Sequence, residues 1–108
     1  MCLISCEYLP GGGVDVKITN ASKGNVADLN VHFTGGLNVV PKLNSGEMCS
    51  LKVNPSAASH LTIAFVDSLG ITRTNKIDVY FERNYRGVVD ITINDGGSVS
   101  FTNRIKPY

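Results

Sequence analysis

The run Val88-Val89-Asp90-Ile91-Thr92-Ile93-Asn94-Asp95-Gly96-Gly97-Ser98-Val99-Ser100-Phe101 decides the fold. Val88 to Ile93 is an apolar stretch of strand length. It runs into Asn94, Asp95, Gly96 and Gly97, after which Val99 and Phe101 bring an apolar face back. An Asp-Gly pair between two such runs is the strongest short-range signal for a β-hairpin, because glycine takes the positive φ that a tight reversal needs. Upstream, His60 to Val66 carries Leu61, Ile63 and Phe65 on one side. Asp67, Ser68, Leu69 and Gly70 then turn into Ile71 to Phe81, where Ile77, Val79 and Phe81 share a face, giving a second hairpin.

Nearer the amino end, Val14, Val16 and Ile18 alternate with Asp15, Lys17 and Thr19, and the run stops in the turn Asn20 to Asn25. In the next run Ala27, Leu29, Val31 and Phe33 form the apolar face, with Asp28, Asn30 and His32 on the wet one, until Thr34, Gly35 and Gly36 break it. Leu37, Val39 and Val40 lead to Pro41, which lacks an amide hydrogen and so implies an edge strand or a bulge. After the turn at Asn44 to Glu47, Met48 to Val53 sets Cys49, Leu51 and Val53 against Ser50 and Lys52. Cys2, Ile4, Cys6 and Tyr8 suggest a further short strand before Pro10 and three glycines. No segment carries helical spacing with caps over three turns, and Asn54 to Ser59 has room for one helical turn at most.

Seven to eight short strands at intervals of roughly 8 to 12 residues, each with one apolar face, predict two sheets packed face to face, since neither sheet buries its oily side alone. The expected fold is all-β, a two-layer antiparallel β-sandwich of immunoglobulin-like type, with residues 1-108 as one domain. The 108-residue length suits a single core. Hydrophobic residues are 43% and charged residues 18%, against roughly 25% charged in an average domain, so the chain is globular rather than disordered. Ten basic residues against nine acidic ones leave no electrostatic footprint for nucleic acid. No apolar stretch approaches the roughly 20 residues of a membrane-spanning helix.

The stretches Val16-Lys17-Ile18-Thr19-Asn20-Ala21-Ser22, Val31-His32-Phe33, Leu43-Asn44-Ser45-Gly46-Glu47 and Ala64-Phe65-Val66-Asp67-Ser68-Leu69-Gly70 resemble the rhythm of strand, Asn, turn, strand, Gly-Glu, strand and Asp-Gly found in immunoglobulin-like modules of bacterial surface proteins. The resemblance spans about half the chain and rests on turns, so it implies a fold and says little of activity. In size and texture the chain is also similar to small stand-alone bacterial proteins such as integron gene cassette products. There is no tryptophan and no cysteine pair at antibody-type separation.

Of the three cysteines, Cys2 and Cys6 stand four apart, about 13 Å along a strand, and cannot bridge each other there. A bridge from either to Cys49 is open if their strands adjoin; the reading favoured here is three buried free thiols acting as small hydrophobes. Leu3-Ile4-Ser5-Cys6 matches a bacterial lipobox, but five residues with no basic charge precede Cys6, too few for a leader. The chain is therefore read as cytoplasmic if Met1 is the true start, with a cell-envelope lipoprotein anchored at Cys6 as the alternative.

Catalytic parts are present only as separated letters. His60 follows Ser59, but sequence neighbours on a strand point to opposite faces, and no Gly-x-Ser-x-Gly elbow occurs. Asp67 and Asp95 read as turn residues, and Asp78 and Asp90 as solvent-face residues. His32 and His60 lack a second ligand at metal spacing. Neither an enzyme activity, a cofactor nor a metal is expected. The most informative polar segment is Tyr80 to Gly87, which gathers Tyr80, Arg83, Tyr85 and Arg86 around one loop, and Arg and Tyr are enriched at binding hot spots. The competing structural role is that Tyr85 folds back to cap its loop while the arginines are solvated. The function expected is a non-catalytic module that binds a protein or glycan through loops or a sheet edge, with a homodimer through the amino-terminal or last strand in view. A small-ligand pocket between the sheets is the alternative.

Overall fold

Strict alternation of apolar and polar residues leaves each strand one face to bury, and the computed structural model, which describes residues 13–82 and 85–106, shows how those faces meet. Among the described residues there are eight strands: β1 (Gly13–Asn20), β2 (Val26–Phe33), β3 (Gly36–Leu43), β4 (Met48–Val53), β5 (Ser59–Val66), β6 (Thr72–Phe81), β7 (Arg86–Ile93) and β8 (Val99–Lys106). They form two four-stranded sheets in the orders β4-β1-β7-β8 and β3-β2-β5-β6. The core lies between them. From the first sheet come Val14, Val16, Ile18, Leu51, Val53, Val89, Ile91 and Ile93, and from the second Leu29, Val31, Leu61, Ile63, Phe65, Ile77, Val79 and Phe81. The fold is a β-sandwich. The proposed strand at residues 2–8 lies outside the described residues.

Three expectations are corrected. An antiparallel arrangement fails at one ladder: β1 and β7 run parallel, in register from Gly13 against Arg86 to Asn20 against Ile93. These strands are far apart in sequence, so no hairpin dictates their relative direction. Second, Ala27 does not share the inner face. Asp28 adopts φ 50°, and the β2–β5 register shifts between Ala27 and Asn30. This bulge adds one residue to the strand, so Val26 is buried and Ala27 turns toward the outer face beside Lys42 and Val66. Third, Cys49, buried on β4, is disulfide-bonded rather than a free thiol. The other two cysteines of the chain, Cys2 and Cys6, lie outside the described residues.

Buried Asn20 ends β1 and ties the loops above it. Its side-chain amide donates to the carbonyls of Gly24 and Leu43, both at 2.9 Å, and its Oδ1 accepts the Ser22 amide at 3.0 Å. Its backbone N–H donates to Glu47 O at 2.9 Å. A side chain with no exposed surface must satisfy all its polar atoms internally, and Asn20 does so while fixing three segments at once.

The closest backbone approach is at Gly87 in β7. It has φ +137°, and a β-carbon there would sit 1.9 Å from Arg104 O and 2.7 Å from Ile105 Cα. Both obstacles are backbone, so no rotamer change relieves them. Gly87→Ala is expected to cost about 2–4 kcal/mol by strain and overpacking combined. Gly70→Ala, at φ +80° with nothing within 4 Å of the added carbon, should cost only the backbone penalty of about 1–2 kcal/mol. Urea denaturation of the two variants measures the difference, and equal losses would contradict this packing.

Candidate functional site

Because Val79 and Phe81 face the core, period two turns Tyr80 outward at the end of β6, where it is 51% exposed. Its ring meets Tyr85 edge-on, with centroids 6.5 Å apart and planes at 82°, and His60 of β5 at 6.0 Å and 65°. Both separations fall in the range of favourable T-shaped aromatic contacts. The Tyr80 hydroxyl donates to the Glu82 carboxylate. That bond, aided by partial desolvation and the Glu82 charge, raises the phenol above its ordinary value, because ionisation would set two anions together. His60 Nδ1 lies 2.7 Å from Val79 O. A carbonyl only accepts, so Nδ1 is the donor in this contact. The ring of Tyr80 is thus held on two sides and at its tip.

The residues predicted from sequence are only partly brought together. Tyr80 and Tyr85 touch, and Tyr85 is half-buried and packs against the core, with its amide donating to Glu82 O at 3.1 Å. Arg86 opens β7 with its side chain exposed and already engaged in an interaction. Arg83 lies outside the described residues. Two members escaped sequence reasoning. His60 reaches Tyr80 only across the β5–β6 ladder, whose register is broken between Ser59 and Leu61, and no local motif announces that adjacency. Glu82 lies in the same loop segment and joins the site through its carboxylate, which accepts from the phenol. Beside this cluster, His32, Phe33, Thr34, His60 and Thr62 line a shallow trough open to solvent.

Ser59 faces away from His60. It is buried, its Oγ accepting the Thr34 amide at 2.9 Å and donating to His60 O at 2.7 Å, whereas the His60 side chain is exposed. Among the described residues no group of three or more His, Cys, Asp or Glu side chains is placed to hold a metal ion. No helix of the described structure is long and apolar enough to cross a membrane.

At the opposite end of the sandwich, the turns after β1, β5 and β7 surround a cavity of about 120 Å³, floored by Val26, Phe65 and Ile93 and rimmed by Lys23, Asp67 and Arg73. Its polar rim is spent on holding the turns. Asp67 Oδ1 accepts the amides of Leu69 at 2.9 Å and Ile71 at 3.0 Å, and its Oδ2 meets Arg73 Nε at 3.0 Å. Asp95 reaches across to the Lys23 amide at 2.8 Å rather than closing its own turn.

No family model matches the chain, and none of the curated proteins matches it significantly. It is similar in structure to a protein from Eubacterium rectale solved by NMR, at 14% identity and a TM-score of 0.60. The similarity covers 83% of this chain and 86% of that one. At such identity the likeness concerns the fold alone.

The Ile71 amide first, then Arg73 and the Leu69 amide, hold the Asp67 carboxyl below its ordinary value against the opposing pull of partial burial. A depressed folded-state value means a stabilisation fully present above the unfolded carboxyl's value of about 3.9 and lost as pH falls through the folded one. Wild type should therefore melt above Asp67→Asn at neutral pH, and the gap should close below about pH 3.9 as the carboxylate is protonated. Thermal melts across pH check this, and a gap that widens in acid would refute it.

Proposed function

We infer that this chain is a non-catalytic interaction module that engages a protein or glycan surface through the end of the sandwich bearing Tyr80. One observation carries the reading: a half-exposed tyrosine ring braced by His60 and Tyr85 at its edges and by Glu82 at its hydroxyl. A side chain fixed before binding loses little entropy on contact, and tyrosine combines apolar area with a polar handle. Tyr85 contributes as the half-buried support and Tyr80 as the contact, with Arg86 beside them at the start of β7. Within that reading the sandwich is taken as immunoglobulin-like in architecture. Loops sit at both ends of a rigid sandwich, built on two sheets of four strands rather than four plus three.

The alternative, a small-ligand carrier, needs an enclosed site of about 300 Å³ or more. The turn-end cavity is about 120 Å³, its carboxylate rim is engaged in turns, and the trough beside His60 is open to solvent. These features favour surface recognition.

The disulfide at Cys49 supports a protein that works in an oxidising compartment. The compartment proposed is therefore an oxidising one outside the cytoplasm.

Immobilised protein used to capture partners from source lysate and on a glycan array provides the test. Tyr80→Ala should reduce capture at least about tenfold, the loss expected of a hot-spot anchor, while Leu69→Ala, at the opposite end, leaves it unchanged. The melting temperature of Tyr80→Ala should stay within a few degrees of wild type. Undiminished capture by Tyr80→Ala would reject this surface.

A further inference from the structure

An edge strand is a template for another strand, and proteins blunt their edges with proline, bulges, short length or charge. Three of the four edges here are blunted. β3 contains Pro41 followed by Lys42. β4 is six residues long and carries the disulfide-bonded Cys49. β6 carries Lys76 and Asp78, and its register against β5 breaks between Ser59 and Leu61. β8 has no proline, bulge or shortening, and its two charges, Arg104 and Lys106, are confined to its last three residues. It pairs with β7 without interruption over eight positions, from Ile93 against Val99 to Arg86 against Lys106. It contains no proline and no acidic residue, and no charge before Arg104. Among the described residues no strand lies on its far side.

Its backbone alternation fixes which groups are free. Asn94 N–H donates to Ser98 O at 2.8 Å, so in the antiparallel ladder Ser98, Ser100, Thr102, Arg104 and Lys106 direct their backbone groups to β7. Val99, Phe101, Asn103 and Ile105 direct theirs outward. We propose that β8 is a self-association edge, pairing antiparallel with β8 of a second copy about a two-fold axis at Thr102. In that register all four outward residues are used, Val99 opposite Ile105 and Phe101 opposite Asn103.

The side chains select this partner and direction. Val99, Phe101 and Ile105 are half-buried at the rim of the core, and in a second copy Ile105 covers the open flank of Val99 while Phe101 packs against the stem of Asn103. On the outer face Thr102 meets Thr102 and Ser100 meets Arg104, so no like charges are opposed. Parallel pairing would stack Arg104 on Arg104 and Lys106 on Lys106, which is unfavourable. Arg104 is also partly neutralised by Asp90, at 3.9 Å on the neighbouring strand. The contact is isologous and closes at two copies.

Sedimentation equilibrium from micromolar to millimolar protein tests the proposal. Wild type should show reversible dimerisation. Thr102→Lys sets two ammonium groups on the axis, and Asn103→Pro removes an amide that the monomer does not use. Each should weaken the dimer at least about tenfold while circular dichroism shows the sheet retained. Ser100→Glu, facing Arg104 of the other copy, should strengthen it. A wild type that stays monomeric at millimolar concentration overturns the proposal, as does a dimer that persists unchanged in folded Thr102→Lys and Asn103→Pro, or one that Ser100→Glu weakens. Tyr80→Ala should leave the association unchanged, so this edge and the aromatic end fail or succeed separately.

Discussion

The parallel ladder between β1 and β7 is the constraint on which the remaining structure depends. Without it, the first sheet falls into two ribbons, β4 with β1 and β7 with β8, and neither has a face wide enough to cover the second sheet. With it, Val14, Val16 and Ile18 stand beside Gly87, Val89 and Ile91 in register, so the apolar faces of four strands become one continuous wall. That wall buries Leu29, Val31, Leu61, Ile63 and Phe65 from the other side. The ladder also joins chain segments more than 60 residues apart, so its formation closes the largest loop among the described strands and makes the core a single unit.

Two features fix the strands of this seam, one acting on β1 and the other on β7. At the turn end, Asn20 finishes β1 with a side chain that bonds Gly24 and Leu43, and the Ala21 amide continues to Ile93 O at 2.9 Å. At the other end, Gly87 lets β7 approach β8 more closely than any side chain allows. The aromatic cluster inherits its order from there. Tyr85 immediately precedes β7 and packs against the core, and Tyr80 leans on Tyr85, so the exposed ring is positioned by the same strand that closes the sheet. The free side of β8 is fixed equally by its regular bonding to β7. Frame and surface are thus coupled through one strand.

What the sequence made legible follows from the range of the interactions involved. Alternation is local, so the inward faces of β1, β4, β5 and β6 could be read directly from Val14 to Ile18, Cys49 to Val53, Leu61 to Phe65 and Ile77 to Phe81. Turns are local too, and Asp67 and the Asn94 to Gly97 reversal were visible as such. The bulge at Asp28 was not, because an aspartate at positive φ leaves the letters alternating while shifting the faces. Neither was the parallel ladder, which depends on the direction of strands remote in sequence. The Tyr80 and Tyr85 pairing lay within one short segment and was within reach of composition. The His60 contact needed register, and the Cys49 bond needed proximity in space, and a single sequence encodes neither in its spacing.

Native-state hydrogen exchange tests the β1–β7 seam most directly, because each amide reports the smallest opening that releases it. The account predicts that amides of β1 and β7 bonded across the ladder exchange slowest, with one shared free energy equal to that of global unfolding in denaturant. It would be contradicted if the β7 and β8 amides exchanged together through a distinct opening of lower free energy while β1 and β4 stayed protected.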